Sequence, residues 1–267
     1  MKIIVCVKQV PDTSGKVAVK ADGTMDRAAM ATISNPDDMN ALEAALQLKD
    51  ANPEIKVVVI TMGPPPAESM LRECMAMGAD EGVLVSGREF GGADTFATSE
   101  CLAAAIRKIG VEKDDIIFCG RQAIDGDTAQ VGVQIAIHLD LPVTTYVEKL
   151  VDVNETSITV QRQYEDRYQT VRMNYPCLIT AIGDLNQPRY MSVGGCFDAY
   201  QKEIKIMTYA DIADVVDESN VGLAGSPTYV ATSTTKEAKG AGEMLKDLSA
   251  DEAVAAIVEK LASKHII

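Results

Sequence analysis

Four runs of β-branched and other apolar residues constrain this chain more than any other feature: Ile3-Ile4-Val5-Cys6-Val7, Val57-Val58-Val59-Ile60, Ile116-Ile117-Phe118-Cys119 and Cys177-Leu178-Ile179-Thr180-Ala181-Ile182. None alternates apolar with polar, so none can be a strand with one wet face. Between them lie stretches with helical spacing. Asn35 to Lys49 places Met39, Leu42, Ala45 and Leu46 on one side, with Asn35 as N-cap and Pro36 in the first turn, where a missing N–H costs nothing. Further helices are expected at about Ala67–Met77, closed by Gly78, at Thr95–Ile109, closed by Gly110, and at Thr128–Leu139. Strands at Ile55–Met62, Gly82–Val85 and Asp115–Cys119 interleave with them. The reading is α/β, a three-layer doubly wound and mostly parallel sheet.

After Pro142 the period shortens. Val143–Val151, Ser157–Arg162 and Gln169–Met173, separated by polar pairs, read as an antiparallel extension of the sheet edge. The stretch from Gly183 to Tyr190, followed by Gly194-Gly195, looks too irregular for a regular element. The tail then carries little pattern until an amphipathic helix at Asp251–Lys264, with Ser249 as its candidate cap. There is no internal repeat.

Charge limits the partners. The chain has 25 basic and 39 acidic residues, a net charge of −14, which argues against nucleic acid and anionic membranes. His138 and His265 are its only histidines, so a His-rich metal centre or a Ser-His-Asp set has little material. Any chemistry is expected to come from a bound cofactor. Six cysteines without a C-x-x-C pair read as buried thiols of a reducing cytoplasm. No apolar run is long enough to span a bilayer, and the first residues read as a strand instead of a signal peptide. The Met70, Cys74, Met75 and Met77 turn reads as core filler.

The strongest local signal runs from Asp115 to Gly132: strand, glycine-punctuated loop, helix start. At the carboxyl end of a parallel strand, a helix N-terminus offers free N–H groups to a phosphate. The backbone from Asp127 to Gly132 is the expected anion holder, with Asp125 and Asp127 capping the helix or reaching a sugar hydroxyl. An ordinary strand-to-helix turn explains the pattern about equally well, since neither G-x-G-x-x-G nor a P-loop is present. Two other strand ends point to the same crevice, Val7 to Thr13 and Thr61 to Pro66; Gly63 permits close backbone approach and Pro11 stiffens its loop. Lys8 supplies charge there or is merely solvated, the second being favoured. Arg162, Arg167 and Arg172 are phosphate or flavin contacts or, by default, exposed strand residues that oppose aggregation. His138 is read as a core or surface residue and His265 as exposed.

Several of these motifs carry a resemblance over essentially the whole length. They are Val7-Lys8-Gln9-Val10-Pro11-Asp12, Asn35-Pro36-x-Asp38, Met75-Ala76-Met77-Gly78-Ala79-Asp80, Gly120-x-Gln122-Ala123-Ile124-Asp125-x-Asp127 with Gln130-x-Gly132, and Leu185-Asn186-x-Pro188-Arg189-Tyr190. The chain resembles the β subunit of electron transfer flavoproteins. The resemblance implies an adenine-nucleotide-binding fold over residues 1–205, including a recognition loop at 183–197, and a C-terminal arm at 206–267 packing on an α subunit that carries its own FAD. It implies a nucleotide site lined by Val7, Lys8, Pro11, Asn35, Asp38, Thr61, Gly63, Gly120, Asp127, Thr128, Ala129, Gln130, Val131 and Gly132, with Arg162 and Thr228 held more loosely. Family members hold either structural AMP there or a second FAD that accepts hydride from NADH. The small Thr128 and Ala129, with Val10 to Thr13, resemble the second, electron-bifurcating kind. The expected acceptors are ferredoxin or flavodoxin and, through the α-subunit FAD, an acyl-CoA dehydrogenase docked on Leu185, Pro188 and Tyr190. A nucleotide-binding signalling module on the same scaffold is the remaining alternative, and it leaves the Leu185 loop and the arm unexplained.

Overall fold

The computed structural model describes residues 1–12, 31–232, 240 and 242–267. Thr13, included in the expected first loop, lies outside them. In chain order the elements are β1 (Lys2–Cys6), the short β2 (Gln9–Pro11) and β3 (Thr32–Ser34), α1 (Pro36–Ala51), β4 (Lys56–Met62), α2 (Glu68–Met77), β5 (Glu81–Val85), α3 (Thr95–Ile109), β6 (Ile116–Gly120) and α4 (Val131–His138). There follow β7 (Val143–Val153), β8 (Ser157–Gln163), β9 (Tyr168–Asn174), β10 (Cys177–Ala181), α5 (Val193–Gln201), β11 (Ile204–Met207), α6 (Tyr209–Ile212) and α7 (Ala250–Ser263).

Among the described residues nine strands form one sheet in the order β11-β5-β4-β1-β6-β10-β7-β8-β9, while β2 and β3 pair separately. All pairs from β11 to β7 are parallel, and β8 and β9 add the antiparallel edge. The doubly apolar runs are explained by cover on both sides. Ile3, Val5, Phe118 and Ile179 pack against Leu42 and Leu46 of α1 and Leu71 of α2. Ile4, Val58, Ile60 and Ile117 pack against Leu102 and Ile106 of α3 and Ile135 of α4. The chain leaves β1 toward β4 and returns through β6 on its other side, so the strand order reverses between β1 and β6, the place where open α/β sheets form a ligand crevice beyond the carboxyl ends of their strands.

Several expectations are corrected. The segment read as irregular contains a helix, α5, hidden by its glycine pair. Ser192 caps it by accepting from the Gly195 N–H, and a Cβ at Gly195 would stand 2.2 Å from the Ala76 carbonyl, so glycine is what lets α5 lie on the end of α2. β11, four residues on the open sheet edge beside β5, was not anticipated. It spans both sides of position 205, and Ile212, Val216 and Val221 beyond it pack into the α3 face. Helix α4 starts at Val131, three residues later than the pattern suggests.

Helix α7 matches its expected bounds closely. Its Ser249–Glu252 capping box is complete, yet none of its residues is buried, and Val254, Ile257 and Val258 face outward. Five cysteines are buried and Cys196 is half-buried. Burial pushes the Cys101 and Cys177 thiols up, to about 11 and about 12, which keeps them protonated and unreactive. Among the described residues no helix is long and apolar enough to cross a membrane, and no cluster could hold a metal ion.

Candidate functional site

One buried carboxylate organises the crevice. Asp38, in the first turn of α1, accepts from the backbone N–H of Lys8 at 2.8 Å and of Gly120 at 3.0 Å, one oxygen to each. It therefore bridges the ends of β1 and β6 where they begin to diverge. Gly120 makes this possible, because a Cβ there would lie 2.3 Å from Asp38 Oδ1 and 2.6 Å from its backbone nitrogen. Asn35 works beside it. Its Nδ2 donates to the Gln122 carbonyl at 2.8 Å and its Oδ1 accepts from the Ile124 N–H at 3.1 Å, so the head of α1 fixes the start of the loop after β6.

Lys8 is not simply solvated. Its ammonium reaches Asp125 Oδ1 at 2.8 Å, across the crevice, with the lysine 48% and the aspartate 8% exposed. Asp127 accepts instead from the Gln122 side chain at 2.8 Å. Neither carboxylate caps α4, one of the two roles expected of them; the cap position is Gln130, whose own side chain makes no capping bond. Asp127 and Ala129 both have positive φ, 51° and 53°. The loop thus delivers Thr128, Ala129 and Gln130 exposed or half-buried to an eight-residue helix whose N–H groups and positive dipole end carry no carboxylate of their own. Of the two nearby aspartates, Asp125 is paired with the Lys8 ammonium and Asp127 accepts from the neutral Gln122 amide, so both carboxylates are engaged away from this helix end.

The residues expected to line the site fall into two groups. Lys8, Gly63, Asp127, Thr128, Ala129, Gln130 and Val131 are exposed or half-buried around the strand ends. Val7, Pro11, Asn35, Asp38, Thr61, Gly120 and Gly132 are buried and form the wall behind them. Gly132 belongs with the packing residues: a Cβ there would meet Thr180 Cγ2 at 3.0 Å and Cys119 Cβ at 3.2 Å, so it seats α4 on β6 and β10. A bulky residue at 132 would disturb the fold as well as the site.

Burial raises the Asp38 pKa to about 7, against the hydrogen bonds from Asn35, Lys8 and Gly120 that favour its charged form. Asp37 is also raised by burial, with Arg121 opposing the shift. Since the folded pKa of Asp38 lies above the ordinary carboxylate value, its contribution to stability is complete below that value and is lost as the pH rises to about 7. Denaturant midpoints measured from pH 4 to 8 should therefore fall more steeply for the native chain than for Asp38→Asn, which is neutral throughout. Parallel pH profiles would contradict the assignment.

Other predicted residues are placed less centrally. Arg162 is half-buried, donates to Thr145 at 2.8 Å and lies over the Tyr164 ring, whereas Arg167 and Arg172 are exposed. His138 joins α4 to α3 through Glu100 at 2.6 Å and Ser99 at 3.1 Å, and His265 is exposed. Thr228 donates to Asp94 at the head of α3, next to Thr95, which bonds Gln130 at 3.2 Å; the chain after Pro227 does return beside the crevice. Leu185 is half-buried and packs on the core, and Pro188 is half-buried, while Tyr190 is 96% exposed. Val193, Phe197 and Tyr200 of α5, the helix that follows in the chain, are also exposed.

Sequence reasoning passed over the α1 residues that hold this loop in place. Asn40 and Asn186 exchange hydrogen bonds, and Arg189 donates to both Glu43 oxygens, at 2.8 and 3.0 Å, and to Asp50. Polar residues at Asn40 and Glu43 inside an otherwise apolar helical stripe were the available signal.

Residues 22–212 match the family model described as the electron transfer flavoprotein domain. The chain is 52% identical, over all of both chains, to the acryloyl-CoA reductase electron transfer subunit gamma of Anaerotignum propionicum. It is likewise 52% identical over all of both chains to subunit CarD of the caffeyl-CoA reductase-Etf complex of Acetobacterium woodii. It is 53% identical, again end to end, to the electron transfer flavoprotein subunit beta of Clostridium acetobutylicum.

Proposed function

Given that this chain belongs to the electron transfer flavoprotein family, and aligns end to end with a member named as a β subunit, we propose that its crevice holds FAD within a heterodimer and serves electron bifurcation. The observation that carries the reading is the uncapped start of α4, with Asp125 and Asp127 both turned to other partners. The N–H groups from Thr128 to Gly132 would hold the phosphates, a role needing backbone and no cationic cluster. Thr61 and Gly63 at the end of β4, with Val7, Lys8 and Pro11, would border the flavin. The chemistry that FAD supplies at such a site is acceptance of hydride from NADH, with one electron released to ferredoxin or flavodoxin and one, through the α-subunit FAD, to an acyl-CoA dehydrogenase. This chain's own part is to position, to exclude water and to hold the crevice walls apart at a set width.

Two relatives are named for acryloyl-CoA and caffeyl-CoA reductases, which supports an acyl-CoA-level oxidoreductase as the docking partner. Tyr190 and the α5 face, with Leu185 and Pro188 beneath, form the proposed docking surface. The outward apolar face of α7 is the part of the C-terminal arm that would cover the α subunit. A reducing cytoplasm suits the unpaired thiols.

Ligand counting tests the reading. Acid release from the purified heterodimer should yield two FAD. One FAD and one AMP would replace bifurcation by simple electron carriage, with AMP in the same crevice.

A further inference from the structure

Helix α1 carries four buried polar residues, Asn35, Asp38, Asn40 and Glu43, in its cap and first two turns. Buried polar groups are retained where their partners are fixed, because an orphaned one costs about 1–3 kcal/mol. The partners here divide by position. Asn35 and Asp38 bond Gln122, Ile124, Lys8 and Gly120, all at the crevice. Asn40 donates to the Asn186 carbonyl at 2.7 Å and accepts from Asn186 Nδ2 at 2.9 Å, and Glu43 takes both the backbone N–H and the guanidinium of Arg189. The root of the same loop is tied to the crevice as well, since the Arg121 N–H donates to the carbonyl of Ala181 at 2.7 Å.

We propose that α1 couples occupancy of the crevice to the posture of the 183–191 loop, making Asn186 and Arg189 positioning residues for the nucleotide although they stand away from it. The physical basis is stiffness. Asp38 and Glu43 are five residues apart on one continuous helix, roughly 7.5 Å along its axis. A displacement of the Gly120 to Ile124 backbone by a bound nucleotide moves the head of α1, and the buried bonds at Asn40 and Glu43 oblige the loop to follow or to lose partners. Linkage makes the effect reciprocal: whatever biases the loop changes nucleotide affinity by the same factor. Partner docking at Tyr190 is thereby sensitive to whether the crevice is filled.

The coupling rests on the crevice being the nucleotide site, and the experiment separates the two. In the intact heterodimer, FAD dissociation from the β site is measured for the native chain, Asn186→Ala, Arg189→Ala, Arg189→Lys and Lys56→Ala. Hydrogen exchange of 183–191 is followed with the site filled and after FAD depletion. Asn186→Ala and Arg189→Ala should release FAD about fivefold faster, a coupling of ordinary size. Arg189→Lys, which keeps the charge and loses the two-pronged contact, should fall between. Lys56→Ala, breaking a pair with Glu81 at the opposite end of the sheet, should release FAD at the native rate. Loop exchange should rise on depletion. Normal FAD binding with native release rates in both loop variants and unchanged loop exchange overturns the coupling alone. Absence of FAD from the native β site overturns the site reading, and the coupling with it.

Discussion

Gly120→Ala should be more damaging than the addition of one methyl group suggests. The new Cβ would fall 2.3 Å from Asp38 Oδ1, 2.6 Å from the Asp38 nitrogen and 2.7 Å from the Asp37 carbonyl carbon. Two of those atoms are backbone of a helix fixed by Asn35 on one side and the loop clamp on the other, so no side-chain rotation relieves the contact. Overpacking of a well-filled interior costs about 1–3 kcal/mol, and a clash with backbone belongs at or above the top of that range. At roughly 2–4 °C per kcal/mol for a chain of this size, the unfolding midpoint should drop by about 6–12 °C. The loss should include the crevice, since α1 must move away from β6 and release the Asp38 bridge. A melting curve and FAD content, measured together in the heterodimer, check both parts. A midpoint within about 2 °C of the native one, less than the cost of a single kcal/mol, would show that α1 yields where the structure holds it firm.

The second large effect concerns docking. On the proposed docking surface, Tyr190→Asp and Phe197→Asp should each slow reduction of the proposed dehydrogenase partner by about 30-fold, the fold-change of a hot-spot loss near 2 kcal/mol. Both side chains are exposed, 96% and 73%, so the substitutions should leave the fold and NADH oxidation by an artificial acceptor unchanged. Leu185→Ala is a poorer probe of docking than its motif suggests, because Leu185 packs on the core and its truncation also loosens the loop. Equal loss of both activities in Tyr190→Asp would place its effect inside the β subunit instead of at the dehydrogenase.

The sheet was legible because its strands obey a simple demand: a run apolar on both faces must be covered on both. The helices of the core were legible through spacing and through closing glycines at 78 and 110. What escaped was decided by contacts remote in sequence. Lys8 finds Asp125, a residue 117 positions away, and no local pattern announces that pairing. Gly120 and Gly132 look alike in the motif, yet one makes room for a carboxylate and the other for a helix seated on two strands. Thr128 to Gln130 have nothing against helix, but left-handed backbone at Asp127 and Ala129 delays its start to Val131. Helix α5 escaped for the opposite reason, since glycine at 195, disfavoured by propensity, is required by the approach of Ala76. The convergence of these strand ends was therefore legible, and the division of the candidate residues into buried and exposed was not.

Helix α7 has a complete capping box and no buried residue. Its ends are satisfied while its apolar side stays wet, so its folding is nearly finished by local means and its burial must come from elsewhere. If the α subunit supplies that burial, this chain's lifetime is set by the supply of its partner. Copies made in excess would present Val254, Ile257 and Val258 to chaperones and proteases, and balanced synthesis of the two subunits would be a condition of abundance as much as of activity.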